Sequence, residues 1–356
     1  MDGGFGERQM SAIHWTGLDV SKATFNAAFV RMGQKFPSTR LCDVPARGFE
    51  RSRQGVERFL DWLGALTEND VGQSRVRVVM EATGKYSLEL AAWLLERQAS
   101  LEPAIVCPSY TAAFIKSLGL RNKTDNLEAR ALAFYGAERE PVAYEPPTPE
   151  YAELQALNRY RDALVRERTA EGNRAGEGSP SKAVRRVQAK RLRLLDGDIE
   201  RIEAEMQRLV NAVPELKRDI ELLSSIYGVG FIVAVVVVAE LGDLRRFRKA
   251  RQLTAFAGLS PRIYQSGTSV SGRPRMCKKG SPRARHALYL GALTAVRGNN
   301  DLQRTYQRLL DEGKPPMVAI GAVMRKLLVL MRALLITETP YDPDSKLNRK
   351  RQPTCA

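Results

Sequence analysis

Four carboxylates stand out by where they fall. Asp19 lies inside Trp15-Thr16-Gly17-Leu18-Asp19-Val20-Ser21-Lys22, a charge set in a largely apolar, strand-like run. Burying such a charge is costly unless it is paired or holds a cation. Glu81 closes the run Val78-Val79-Met80, and Asp125 and Glu128 stand three residues apart at the expected start of a helix, facing the same way. Brought together, these acids would repel one another and stay partly protonated, and a pair of divalent cations removes that penalty. Two Mg²⁺ ions, with Mn²⁺ able to substitute, suit an all-oxygen donor set. Such a pair activates a nucleophile and stabilises the leaving oxygen in phosphodiester cleavage. Singly, each acid reads as a helix cap or turn residue. The ordered set is the specific signal.

A second group of residues suits phosphate contact. Ile226-Tyr227-Gly228-Val229-Gly230 has the form of a helix-hairpin-helix turn, in which Gly228 and Gly230 let backbone N–H groups approach a phosphate. A plain glycine turn is the competing reading. Arg245, Arg246, Arg248, Lys249 and Arg251 follow, and then Arg262, Arg273, Arg275, Lys278 and Lys279 surround Tyr264-Gln265-Ser266-Gly267. Cations there would neutralise charge developing on a phosphate attacked by Ser266. No histidine lies near Ser266 in sequence to serve as its base, so from the residues alone a turn or phosphate-contact serine is the preferred reading.

The elements that must position these residues follow from periodicity. Strands are expected at Ala12–Leu18, Thr24–Val30, Thr39–Val44, Arg75–Met80 and Ala104–Val106, with helices at Phe49–Leu66, Leu88–Glu96 and Asn126–Gly136. Antiparallel strands followed by β-α-β-α is the order of a ribonuclease-H-like fold. Pro146–Pro149 reads as a linker. Beyond it, Leu154, Leu157 and Leu164, and then Ile199, Ile202, Met206 and Leu209, suggest a helical hairpin or coiled-coil arm, with Gly172–Ser181 looping out. From Glu215, an apolar stretch Leu222–Leu241, a weakly periodic Gly258–Gly280 and helices at Arg283–Val296 and Pro316–Leu335 make a mostly helical third domain. The polar, basic tail from Asp342 reads as disordered. The division is therefore residues 1–148, 149–214, 215–340 and 341–356.

Bulk properties agree. A net charge of +16 over 356 residues points to a polyanionic partner, because Lys and Arg release counterions from phosphates. Cys42, Cys107, Cys277 and Cys355 are scattered, and His14 and His286 are the only histidines, which argues against a zinc site. No run is long enough to span a bilayer, and Met1–Met10 does not read as a signal peptide. A cytoplasmic, nucleoid-associated protein without a membrane partner is the expectation.

Several motifs together resemble a known family. They are Gly17-Leu18-Asp19-Val20-Ser21-Lys22, Met80-Glu81-Ala82-Thr83-Gly84-Lys85-Tyr86, Gly119 through Asp125 with Glu128-Ala129-Arg130, and Ala257-Gly258-Leu259-Ser260-Pro261-Arg262 leading into Ser266-Gly267. From about Ala12 to Pro340 the sequence resembles the DEDD transposases of the insertion-sequence family one-ten, the bridge-RNA-guided recombinases. The resemblance implies a RuvC-like domain whose acids, here Asp19, Glu81, Asp125 and Glu128, bind Mg²⁺, a coiled-coil segment, and a transposase domain whose nucleophilic serine is Ser266. It further implies donor and target DNA, a structured noncoding guide RNA, and a dimer or tetramer with composite active sites. The family's fourth acid is normally Asp, and Glu128 departs from it by one methylene, about 1.5 Å. Two rival readings are a Holliday-junction-type nuclease that uses the same acids with water, and a non-catalytic nucleic-acid-binding protein.

Overall fold

The computed structural model describes residues 12–67, 74–120, 122, 124–266 and 270–343. It divides into two compact units between Pro146 and Pro147. The sequence motifs of the basic tail from residue 344 onward lie outside the described residues.

The first unit is built on a five-stranded sheet. Its strands are β1 (Ala12–Val20), β2 (Thr24–Val30), β3 (Ala46–Glu50), β4 (Ser74–Glu81) and β5 (Ala104–Val106), in the order β3-β2-β1-β4-β5. β1, β2 and β3 are antiparallel neighbours, whereas β4 and β5 run parallel to β1. The parallel pairings require crossovers, and these are α1 (Arg53–Thr67) and α2 (Lys85–Arg97). This mixed sheet fits the RuvC-like fold expected from the sequence.

Side-chain alternation along the strands gives the sheet two different faces. Leu18, Phe25, Phe29, Val78 and Met80 pack with Val56, Phe59, Leu90 and Leu94 of α1 and α2. The other face carries Trp15, Ala28, Val30 and Val79 and packs on Ala129, Leu132, Ala133 and Phe134 of α4 (Asp125–Arg139). A short α3 (Pro108–Ser117) precedes α4.

Two sequence expectations change here. Thr39–Val44 is not the third strand. Its centre is a 3-10 turn at Leu41–Asp43, and β3 begins only after Pro45, whose ring cannot donate to a ladder. Phe49 accordingly belongs to β3, where it stacks on Phe25, and not to the helix that follows. Pro108 does end the strand before it, but it also occupies the first turn of α3, where a missing N–H costs nothing.

The second unit is helical apart from one hairpin. α5 (Pro149–Gly176) and α6 (Lys182–Ala212) are antiparallel, as their ion pairs Arg161–Glu203, Arg168–Asp196 and Arg191–Glu171 require. The expected loop is shorter than Gly172–Ser181, because Gly172 and Gly176 still lie within α5. Leu154, Met206 and Val210 at the base of this pair join the core formed by α7 (Pro214–Ser224), α8 (Phe231–Leu241), α10 (Pro282–Ala295) and α12 (Pro316–Thr337). α8 is apolar all round and buried, as a helix at the centre of a bundle must be. A 3-10 turn at Leu244–Arg246 and α9 (Ala250–Phe256) connect α8 to the hairpin, and α11 (Asp301–Asp311) precedes α12. The stretch Gly258–Gly280, weakly periodic in sequence, contains a two-stranded antiparallel hairpin of β6 (Pro261–Ser266) and β7 (Val270–Met276). Among the described residues no helix is long and apolar enough to cross a membrane.

Candidate active site

The acids gather at one edge of the first unit because the backbone leads them there. Leu18 pairs with Met80 across the parallel β1–β4 ladder, so Asp19 and Glu81 are the next residues on adjacent strands. Gly17 and Val79 face α4, and two residues further on Asp19 and Glu81 alternate onto the same face.

α4 brings the other two acids. A Cβ at Gly17 would fall on the backbone of Ala129 and Ala133, and one at Gly136 would fall on the Trp15 ring. The helix therefore lies directly on β1, with residue 136 over residue 15 and residues 129–133 over residue 17. Its N-terminal turn, holding Asp125 and Glu128, consequently extends toward the Asp19 end of the strand. Thr124 caps the helix by accepting from the Leu127 N–H at 3.3 Å. The partial positive charge of a helix N-terminus favours carboxylates in this turn.

Glu81 is held by a residue that the sequence reading did not single out. The buried Thr111 hydroxyl, in the first turn of α3, donates to Glu81 Oε1 at 2.5 Å and also to the Pro108 carbonyl at 3.0 Å. The signal was a threonine one turn into a helix that opens directly after the edge strand β5. Glu81 and Glu128 both line one groove of ≈ 410 Å³, together with Lys116 and Asn122. Asp125 instead lines a second groove of ≈ 440 Å³ that also holds Asn26, the cross-strand partner of Asp19. Among the described residues no three His, Cys, Asp or Glu side chains are clustered closely enough to hold a metal ion. The donor chemistry nevertheless fits a hard divalent cation: all four are carboxylates on one edge, and Glu81 is already oriented by a hydroxyl.

Ser266 lies in the second unit. It is the last residue of β6 and pairs with Val270, closing the hairpin. The base of that hairpin is tightly built. Gly258 has φ +73°, and a Cβ there would lie 2.9 Å from the Lys278 carbonyl carbon, while a Cβ at Gly280 would fall on the Phe256 carbonyl. Arg285 donates to the Gly280 carbonyl at 2.8 Å. Arg262, Arg275, Lys278 and Lys279 are exposed along or just beyond the two strands.

Other residues expected to meet phosphate have structural partners. The Arg245 guanidinium forms a two-pronged pair with the buried Asp219 carboxylate, donates to the Leu335 carbonyl at 3.1 Å, and has its pKa raised, first by the Asp219 hydrogen bond. It ties the segment after α8 to α7 and α12 instead of projecting to solvent. Gly228 has φ +92°, and a Cβ there would lie 2.6 Å from Ala295 N, so its backbone is pressed on α10. Gly230 is the exposed N-cap of α8 with open space beside it. The pair thus forms a tight turn between helices in which one glycine serves packing and the other leaves a helix N-terminus open.

This combination, a mixed sheet with acids on adjacent strand ends and a helical unit bearing a serine hairpin, is the arrangement expected from the sequence for a nucleic-acid phosphoryl-transfer enzyme. A DEDD transposase model of the IS110 type matches residues 16–177, and the model described as transposase IS116/IS110/IS902 family matches residues 220–307. The chain is 30% identical over 333 residues to the pilin gene-inverting protein of Moraxella bovis, covering 92% of this chain and 97% of that one. The counterpart from Moraxella lacunata matches to the same extent. The transposase for insertion sequence element IS1111A of Coxiella burnetii is 25% identical over 366 residues, 94% of this chain and 93% of that one. The chain belongs to the IS110 family of DEDD transposases and is an enzyme of DNA recombination. Membership in this group implies dependence on a divalent metal.

Proposed function

We propose that this transposase excises and inserts a mobile element through a composite centre, with the acid edge of one protomer completed by Ser266 of another and the DNA sites chosen by a structured noncoding RNA. The observation that supports the reading is the placement of Asp19 and Glu81 at the ends of adjacent strands, with the first turn of α4, which carries Asp125 and Glu128, extending toward the Asp19 end, in a chain whose second family match contains Ser266. Asp19, Glu81, Asp125 and Glu128 would hold the cation, Mg²⁺ with Mn²⁺ as a substitute. When bound, a divalent cation, with two ions as the expected number, neutralises charge at the scissile phosphate.

The serine chemistry balances without water. The Ser266 oxygen forms a bond to phosphorus as the bond from phosphorus to one deoxyribose oxygen breaks, and the serine proton passes to that leaving oxygen. A hydroxyl of the exchanged strand then attacks the phosphoserine, and the proton returns to Ser266. No phosphodiester is lost overall, as recombination demands. Arg262, Arg273, Arg275, Lys278 and Lys279 supply cations around the hairpin for the DNA backbone. If RNA pairing reads the target, the protein need carry no base-reading surface for it.

The test uses element-end DNA with the purified protein and its co-purifying RNA. Ser266→Ala and Asp19→Ala are each expected to lower recombination by at least ~10³-fold, on the scale seen when a nucleophile is removed, while leaving nucleic-acid binding intact. Recombination by Ser266→Ala would show that another group attacks. Strand cutting with no trappable protein–DNA link would assign the attack to water. Sequencing of bound RNA checks the guide: the reading expects a single structured species, encoded beside the protein.

A further inference from the structure

The groove beside Asp125 has no role in the composite centre as described so far. Its shape comes from a row of residues across the sheet. Asp19 on β1 pairs with Asn26 on β2, which pairs with Gly48 on β3. Directly paired residues on antiparallel strands point to the same face, so the row is a carboxylate, a carboxamide and then a gap. The gap is specific. A Cβ at residue 48 would stand 3.0 Å from Asn26 Oδ1, so any larger residue would crowd the amide. Asn26 is also the one strongly polar side chain in the otherwise apolar interior of β2, the same departure that marked Asp19 in β1.

The space so opened, ≈ 440 Å³, runs from Asp125 past Thr24 and Asn26 and around the edge strand β3 to Arg47 and Arg58. Arg58 is paired with Glu50 at 3.1 Å. Arg47 is exposed, with its guanidinium 5.6 Å from the centre of the Phe49 ring, and among the described residues no carboxylate pairs with it. Of the four acids Asp125 alone lines the groove; Thr24 and Asn26 add uncharged donors and acceptors, Glu50 lies within it paired to Arg58, and Arg47 is its cation without a carboxylate partner among the described residues. β3 lies two strand spacings from β1, roughly 10 Å. One DNA strand carries a charge about every 3.4 Å of duplex axis, but its phosphates lie further apart along the backbone itself, so the groove spans about two phosphates.

We propose that this groove is the path by which a DNA strand reaches the acids, with Asn26 hydrogen-bonding the phosphate next to the reacting one and Arg47 neutralising a phosphate further along the same strand. The assignment rests on the acid edge being the reacting site. It adds a track of substrate contact within the first unit, on residues outside the family motifs.

Binding of the full-length protein to a short DNA duplex, without divalent metal and over a range of salt, tests it. Arg47→Ala is expected to weaken binding about 5- to 10-fold and to reduce the slope of log Kd against log salt by about 1, the value of one lost phosphate contact. Asn26→Ala is expected to weaken binding several-fold with the slope unchanged, because no charge is removed. Gly48→Val, which fills the groove without touching a charge, should do the same. Arg53→Ala removes an exposed cation paired with Glu96 outside the groove and is expected to change neither quantity. Folded Arg47→Ala and Gly48→Val proteins, checked by melting temperature, that bind with wild-type affinity and slope overturn the proposal. The readout is separate from cutting: an Asp19→Asn protein that still cuts DNA would sink the acid-site reading while leaving the groove result standing.

Discussion

The two regions that carry the candidate chemistry are built in opposite ways. The acid edge sits at the ends of two central strands, buried on both faces and crossed by a helix whose backbone touches the sheet at Gly17. The serine sits at the end of a two-stranded hairpin, an element with little stability of its own in water that depends on its clamped base at Gly258 and Gly280. Acids that must share a cation need fixed mutual positions, and dense packing supplies them. On the proposed reading, a serine that meets a phosphate held elsewhere needs reach instead, which the end of a hairpin suits.

The largest effect should come from striking the packing that fixes the acids. Gly17→Ala puts a methyl group into the backbone of α4. Neither strand nor helix backbone can yield cheaply, so the expected cost is about 3 kcal/mol or more, with loss of activity, in chemical denaturation of the full chain. A Gly17→Ala protein of wild-type stability would mean that α4 does not rest on β1 as described. Next in size is Arg245→Ala. It strips the partner from Asp219, which is 6% exposed, while the arginine itself keeps 34% exposure. About 3 kcal/mol is expected, the low end for breaking a buried pair, with the salt slope of DNA binding unchanged. A slope reduced by about 1 at full stability would return Arg245 to the phosphate-contacting residues.

That second prediction marks where sequence alone ran out. Asp19 drew attention in sequence because a charge inside an apolar strand needs a reason, whereas its position beside Glu81 follows only from the parallel register of β1 and β4. The strands Thr24–Val30 and Ala104–Val106 were legible from their apolar residues and bounding turns. The hairpin at Ser266 was not, because its strands are rich in Arg, Ser, Gly and Pro and show no two-residue alternation. The basic run at Arg245 read as a surface because its partner, Asp219, lies 26 residues earlier on another helix. Charge is readable from sequence, but pairing is a tertiary fact. Gly228 raises a similar point: a glycine that allows close approach looks the same in sequence whether the neighbour is a phosphate or α10, and here α10 is one such neighbour.

A third, intermediate effect should follow from loosening one acid without removing it. Thr111→Val keeps the shape of a buried side chain and deletes the hydroxyl that Glu81 accepts from. Losing an orienting partner of a ligand costs ~10–100-fold in metal affinity or activity. The expected signature is a raised metal requirement for recombination, with rate partly restored at high Mg²⁺. Loss that no metal concentration relieves would make Thr111 a packing residue only. Lys116, on the same groove as Glu81 and Glu128, is a useful contrast: Lys116→Ala removes a cation and should ease metal binding while weakening DNA binding.

The smallest effect is the most informative about how the two regions cooperate. Glu128 stands where the family resemblance leads one to expect Asp, and it shares a groove with Glu81 while Asp125, one turn earlier, opens on the other groove. Glu128→Asp withdraws the carboxylate by about 1.5 Å, so a metal held directly by this side chain should bind a few-fold more weakly. Glu128→Gln keeps the length and removes the charge, so from a direct ligand it should weaken metal binding more than Glu128→Asp does. If Gln and Asp both leave the metal requirement within about twofold of wild type, Glu128 is not a ligand and the acid edge works with three members. If Asp improves the rate instead, the longer side chain is a mismatch that this chain tolerates, and the fixed packing of α4 on Gly17 is the reason: the helix cannot withdraw to accommodate the extra methylene.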